Sequence, residues 1–449
     1  MERRDFIKIS GAAALAAACA PKTSSSSAPA QEGPGQMIYR ENPLNGDKVS
    51  LLGFGCMRWP MKENPNGGWP TEIDQEAVNE MVDYAIAHGI NYFDTSPAYL
   101  MGQSEKAAGV ALSRHPRESY YIATKLSNFG DQSPKASLQM YRDSFEQLKT
   151  TYFDYYLLHA IGRGGKAAFE QRYVQNGMMD FLNKEKAAGH IRNLGFSFHG
   201  SKAEFDAFME MHDSGEQVWD FVQIEMNYVD WKHADGVRNV NADYLYEELD
   251  KRGLPIVIME PLLGGRLANV PEGIARQMKE REPDASIASW AFRFCGTHPR
   301  VLCTLSGMAS MDPLLDNVKT FSHFKPLTEE ELEFMEQMAV QMMEYPMVNC
   351  TDCKYCMPCP WGIDIPGTFQ HYNRAITEGT YAQSREQKDY ARLKKAYLVS
   401  YDRAVPTVRQ ADHCIACGEC LSHCPQSIPI PGQLRRIARY VEKLKQDLL

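Results

Sequence analysis

From about residue 37 to residue 324 the chain alternates short apolar runs with stretches whose apolar residues recur every three to four positions. Runs of this length bounded by turn residues read as buried strands, and the periodic stretches between them as amphipathic helices. Eight runs qualify: residues 51–55, 91–95, 120–125, 154–159, 192–198, 221–225, 255–260 and 301–306. Residues 74–88 carry the helical pattern most clearly, with Ala77, Val78, Met81, Ala85 and Ile86 on one face. Residues 134–148 and 202–211 follow the same rule. Strict alternation of strand and helix signals an α/β fold with a parallel sheet. Eight such units over about 290 residues fit a (β/α)8 TIM barrel, whose chemistry lies at the C-terminal ends of its strands. Ahead of the first strand, residues 37–40 and 48–50 flank Asn45-Gly46, a hairpin signal that would plug the barrel floor.

Beyond the barrel the pattern changes. Residues 328–343 form a Glu/Met-rich helix leading outward, 381–398 are polar and helical, and 433–449 form an amphipathic helix. The expected domains are a leader over 1–20, a linker over 21–36, the barrel over 37–325, a connecting helix over 326–345, a small α-helical ferredoxin-like domain over 346–431, and a terminal helix over 432–449.

Cysteine usage changes the picture most. Eight of twelve cysteines stand in two runs: Cys350, Cys353, Cys356, Cys359 before Pro360, and Cys414, Cys417, Cys420, Cys424 before Pro425. The second run matches C-x2-C-x2-C-x3-C-P, the run that holds [4Fe–4S] clusters in two-cluster ferredoxins, where the fourth cysteine ligates the other cluster. On that pattern one cluster takes Cys350, Cys353, Cys356 and Cys424, and the other takes Cys414, Cys417, Cys420 and Cys359. The first run is one residue tighter than usual, which makes Cys359 its odd member. Structural zinc prefers four ligands in two separated pairs, and disulfides need no such triple regularity. Cys56, Cys295 and Cys303 lie in apolar segments and read as small buried hydrophobes.

Composition is that of an ordinary globular protein, 44% hydrophobic and 23% charged, and a net charge of −9 with no basic stripe argues against nucleic-acid binding. No repeat and no phosphate-loop motif occurs, and Gly162-Arg163-Gly164-Gly165-Lys166 reads as an ordinary flexible loop. The leader is informative. Arg3-Arg4-Asp5-Phe6-Ile7-Lys8, followed by an Ala-rich apolar run, resembles a twin-arginine export signal, and Ser24 to Gly35 reads as a tether. The expected location is the periplasm, with Cys19 either lipidated as a membrane anchor or removed by cleavage after Ala20. Export after folding suits clusters that need reduced thiols to assemble.

Four residues stand at or just past strand ends: Asp94, Tyr99 in the loop after it, Lys125 and His159. Singly, each has a bland reading as a cap, a packing ring, a solvated ammonium or a structural imidazole. Together on strands two, three and four they resemble the Asp-Tyr-Lys-His tetrad of the aldo-keto reductase family. The resemblance covers about residues 37–325 and rests on Asp94-Thr95-Ser96-Pro97-Ala98-Tyr99 continuing to Glu105, on Gly195-Phe196-Ser197, and on Gln223-Ile224-Glu225-Met226-Asn227. The cysteine runs place the chain with the iron-sulfur-bearing branch of that family. Chemically, Tyr99 would be the proton donor, Lys125 would lower its pKa, Asp94 would hold Lys125, and His159 would orient the carbonyl.

The resemblance also implies a dinucleotide, NADP(H) or NAD(H), with Ser197 and Gln223 at the carboxamide, Met259 at the ring, and Ser306, Gly307 and Asn317 at the phosphates. Phe198 replaces an expected Asn, and no Arg or Lys stands between Met308 and Asn317 to pair a 2′-phosphate. Trp59 and Trp69, after the first strand, are either substrate contacts or loop packing. The expected function is an exported oxidoreductase that reduces a small carbonyl, or oxidises an alcohol, and exchanges single electrons with a ferredoxin-like or quinone-linked carrier through two clusters. The alternative is an electron-transfer or docking subunit whose barrel no longer turns over a dinucleotide.

Overall fold

The computed structural model describes residues 36–64, 71–234 and 239–449. The leader, Cys19 and Trp69 lie outside the described residues. Among the described residues ten strands occur in chain order: β1 Tyr39–Glu41, β2 Lys48–Ser50, β3 Leu52–Gly55, β4 Tyr92–Asp94, β5 Tyr121–Leu126, β6 Phe153–Ile161, β7 Ile191–Phe198, β8 Val222–Glu225, β9 Ile256–Met259 and β10 Val301–Ser306. β3 to β10 close into a parallel barrel in sequence order, β10 pairing back onto β3. These are the eight expected strands, each end within two residues.

The strands read as near-continuous apolar runs because both faces are covered. Inside, Tyr92, Tyr155, Leu157, Phe221, Val257 and Leu305 fill the barrel, while Phe54, Tyr156, Leu158 and Phe196 face the helices. β1 and β2 pair antiparallel around Gly46, whose φ of +80° suits glycine. Their hairpin closes the floor: Val49 joins the interior cluster, and Tyr155 donates to Asp47 at 2.9 Å.

Helix starts carry local signals. Asp74 caps Gln75–Ala87, Ser133 caps Pro134–Leu148, and Thr328 with Glu331 forms a capping box for Glu329–Met343. Among the described residues no helix is long and apolar enough to cross a membrane.

Residues beyond 345 build a second core around three helices, Ile365–Thr377, Tyr390–Ala404 and Ile430–Gln446. Phe369, Tyr372, Tyr397, Tyr401, Leu434 and Ile437 are its centre. The helix expected over 381–398 begins at Tyr390 instead. Gln387 accepts the Gln383 and Ser384 N–H groups with its side chain and keeps that segment in a turn. Ile365–Thr377 was not expected at all.

Candidate functional site

At the C-terminal mouth of the barrel, β4, β5 and β6 deliver Asp94, Lys125 and His159, and a short helical turn after β4 delivers Tyr99. Lys125 is wholly buried; its Nζ donates to Asp94 Oδ1 at 2.5 Å and to the Thr95 carbonyl at 2.9 Å. Gln223 donates to the other Asp94 oxygen at 3.0 Å. Burial pushes Asp94 up and Lys125 down, and each partner holds the other charged. The Lys125 ammonium lies 5.0 Å from the centre of the Tyr99 ring. His159 meets that ring edge-on at 5.8 Å.

Tyr99 corrects one expectation. Lys125 was to lower its pKa, but burial, joined by the Asp94 charge, pushes the phenol well above 10. The ammonium 5.0 Å from the ring centre is paired with Asp94. His159 is pushed well below 6.5 by burial, with Lys125 and Arg172 adding to it. Its Nδ1 lies 2.5 Å from Ser127 Oγ and 3.3 Å from Ser96 Oγ. Neither serine was singled out in the sequence; each stands just beyond a strand carrying one of the four.

An open cleft of about 800 Å³, counting its mouth, runs outward from Asp94 and Tyr99. Gln223, Met259, Ser306 and Gly307 line it as expected, together with Arg58, Glu260 and Gly264. Two further expected contacts are buried and hydrogen-bonded within the protein. Ser197 accepts the Ala160 N–H at 2.8 Å, and Asn317 donates to Ser306 Oγ at 2.9 Å. The wall is tight at Gly307, where a Cβ would approach Arg58 Cδ to 3.0 Å. Trp59 is buried on Phe54 at 4.8 Å, so it packs the barrel and does not line the cleft. Cys56, Cys295 and Cys303 are buried.

The cysteine runs gather around two cavities. Cys350, Cys353, Cys356 and Cys424 line one; Cys359, Cys414, Cys417 and Cys420 line the other, with Cys356 bordering both. Burial pushes the thiols of Cys350 and Cys353 up to about 12 and Cys420 up to about 11. Thiolates are costly there unless positive charge joins them, which is what cluster irons supply. Among the described residues no three His, Cys, Asp or Glu side chains are gathered as for a single ion. The thiols instead surround cavities, the arrangement a cube larger than an ion requires.

The first cavity faces the barrel. Arg58 donates to the Thr351 carbonyl and lies 3.6 Å from Asp352. Gly264, at φ +67°, passes so close to Thr351 that a Cβ there would sit 2.3 Å from its Cα. Arg266 donates to Asn349 at 2.8 Å, and Gln426 to Glu225 at 2.5 Å. Tyr355 lies 6.5 Å from Phe129, which in turn lies 5.0 Å from His159. The cysteine module thus covers part of the barrel mouth, a placement that sequence alone did not suggest.

An eight-stranded parallel barrel with a buried Lys–Asp pair under a tyrosine, joined to a module whose eight cysteines gather around two cavities, defines a class of oxidoreductase. Residues 51–339 match the aldo/keto reductase family and residues 349–428 match the 4Fe-4S dicluster domain, so the chain belongs to the aldo/keto reductase family and carries a 4Fe-4S domain. An uncharacterized oxidoreductase of Bacillus subtilis is 24% identical over 65% of this chain and 94% of that protein. L-galactose dehydrogenase of Arabidopsis thaliana is 25% identical over 66% of this chain and 91% of its own length. Among solved structures, the holo form of an aldo-keto reductase from Bacillus halodurans superposes with a TM-score of 0.53 at 22% identity, covering 68% of this chain and 96% of that one. An aldo-keto reductase from Klebsiella pneumoniae in complex with NADPH gives 0.51 at 20% identity, over 68% and 95%. At these identities the two structures bear on the fold.

Proposed function

We propose that the chain reduces a small carbonyl, or oxidises the corresponding alcohol, with a nicotinamide dinucleotide, and exchanges single electrons with a separate carrier through two [4Fe–4S] clusters. The observation that carries this reading is the buried Lys125–Asp94 pair against the Tyr99 ring, with His159 at its edge, at the inner end of a cleft reaching Ser306 and Gly307. Gln223 and Met259 would hold the reactive end of a dinucleotide there, and Ser306, Gly307 and Arg58 its phosphates, and it would supply the hydride. The NADPH complex of the Klebsiella neighbour supports NADP(H).

The chain's own groups then divide the work. Tyr99 is a protonated phenol at neutral pH, because burial and Asp94 oppose the phenolate, so its hydroxyl is the donor to the developing alkoxide. His159 is neutral, and Ser127 Oγ lies 2.5 Å from its Nδ1; in the tautomer that carries the ring proton on Nε2, that proton would be available to the carbonyl oxygen. Lys125 and Asp94 fix the pocket floor beneath both. Cys350, Cys353, Cys356 and Cys424 hold one cluster, and Cys359, Cys414, Cys417 and Cys420 hold the other. The twin-arginine pattern supports export to the periplasm after folding, with Cys19 as the candidate lipid anchor.

Tyr99→Phe is expected to abolish carbonyl reduction while leaving dinucleotide binding and iron content intact. Wild-type turnover in that variant would overturn the assignment. One observation favours the docking-subunit reading: Gln223 is engaged by Asp94, and Arg58 by Thr351 and Asp352. Mass analysis of anaerobically purified protein decides between them, since a stoichiometric bound nucleotide belongs only to the enzyme.

A further inference from the structure

The two-residue gap between Cys350 and Cys353 sends both thiols to one cavity, while Thr351 and Asp352 between them reach the barrel. Asp352 holds φ at +54°, a left-handed conformation uncommon for any residue but glycine. What the two residues meet is Arg58, which ends the short turn Cys56–Arg58 after β3. Arg58 donates to the Thr351 carbonyl, and its Nη1 lies 3.6 Å from Asp352 Oδ2. The two side chains are 31% and 25% exposed, so salt screens this pair less than one in open solvent.

The same arginine lines the cleft that runs outward from Tyr99. A Cβ on Gly307 would meet Arg58 Cδ at 3.0 Å and Cγ at 3.2 Å, so the stem lies on the cleft wall while the tip reaches the cysteine loop. Glu260 also lines the cleft, but its carboxyl accepts the Gly264 N–H at 2.6 Å. Among the described residues Asp352 alone forms an ion pair with Arg58. Asp352 has a second cation, Lys354, at 4.0 Å. Arg58 can therefore leave without stranding a buried carboxylate. A guanidinium's forked donors match phosphate oxygens as well as they match a carboxylate.

We propose that Asp352 competes with the dinucleotide's phosphates for Arg58, so that the cysteine module sets how tightly the barrel holds its dinucleotide. This rests on the dinucleotide part of the reading above and not on carbonyl reduction. With Arg58 on Asp352, the cleft wall presents a neutralised cation and a carboxylate that repels phosphate. With Arg58 on phosphate, Asp352 keeps Lys354 and the Thr351 carbonyl loses a donor. Binding in the cleft and order in the cysteine loop then oppose each other, by the same factor in both directions. Asp352 is a positioning residue, since it acts through Arg58 and touches neither dinucleotide nor substrate.

The test is an anaerobic calorimetric titration of the full-length, iron-loaded protein, stripped of nucleotide, with NADP⁺ and with NAD⁺. Asp352→Asn is expected to tighten binding about fivefold at low salt, and less at high salt, where the charge is screened. Asp352→Glu is expected to stay near the wild type. Arg58→Gln is expected to weaken binding and to abolish the gain from Asp352→Asn, the signature of a shared partner in a double-mutant cycle. Unchanged or weaker binding in Asp352→Asn, or a gain that survives in the Arg58→Gln background, would overturn the proposal and leave the dinucleotide reading standing. Binding by Asp352→Asn where the wild type binds nothing would support it. Binding of neither nucleotide by any of these chains would overturn the dinucleotide reading and the proposal with it. The wild type gives a readout that needs no variant: bound nucleotide is expected to raise amide hydrogen exchange over residues 351–354. Lowered or unmoved exchange there would overturn the competition, even if Asp352→Asn fails to fold.

Discussion

Glu105 closes the motif that begins at Asp94, and its surroundings explain why a carboxyl stands there. It is buried in the first turn of Ser104–Leu112, where Thr124, the neighbour of Lys125, donates to it at 2.5 Å. Burial pushes its pKa up to about 7, against the opposing pull of Thr124, Ser144 and Lys125. The folded chain therefore binds more protons than the unfolded chain between about pH 4.5 and 7. Stability from this group is full below that window and is lost as pH rises through about 7. Glu260, at about 7, and Asp230, at about 6, add to the same slope. Glu105→Gln is expected to remove about one proton's worth of the fall in thermal midpoint across this window. An unchanged slope would show that Glu105 ionises normally in the fold. At this scale sequence located residues but not their directions. Asp94, Lys125 and His159 were legible because a strand end is a position. The internal bonds of Ser197 to Ala160 and of Asn317 to Ser306 were not legible, because nothing in a linear pattern says which neighbour a hydroxyl or amide meets.

Elements were legible wherever one physical rule set them. The barrel strands declared themselves because burial on both faces demands unbroken apolar runs, and Asp74, Ser133 and Thr328 marked helix starts through their own caps. Packing between elements is harder to read, and Gly109 shows why. It lies inside Ser104–Leu112, where glycine costs helix stability, yet a Cβ there would sit 2.0 Å from the Gln147 carbonyl oxygen of the neighbouring helix Pro134–Leu148. The two helices touch backbone to backbone at this point. Gly109→Ala, favourable by propensity alone, is expected to destabilise the barrel by about 1–3 kcal/mol, read as a lowered thermal midpoint. A raised midpoint would mean the crossing can open without loss. The same limit hid Ile365–Thr377: Tyr372 meets Tyr381 and Tyr440, and His371 meets Tyr397 and Tyr401, most of them tens of residues downstream.

For the whole molecule, the question is how far the module's stability depends on the clusters its cysteines would hold. Its helices pack on a core of their own, in which Tyr397, Ile437 and Leu444 are wholly buried, so they do not depend on metal for their contacts. The cysteine loops do. Their thiols are pushed up by burial and surround two cavities. Binding free energy of such a group is folding free energy for the segments that hold it. Anaerobic chelation of the iron is therefore expected to raise amide hydrogen exchange over residues 350–362 and 411–428. Ile365–Thr377, Tyr390–Ala404 and Ile430–Gln446 are expected to stay protected. The effect should cross the seam, because Thr351 packs on Gly264 and binds Arg58: residues 263–265 should gain exchange as well, while the barrel strands do not. Loss of protection in the three helices along with the loops would show that the clusters hold the whole module together. Unchanged exchange at 263–265 would show that the cleft and the clusters are mechanically independent, and that any communication between them runs through charge alone.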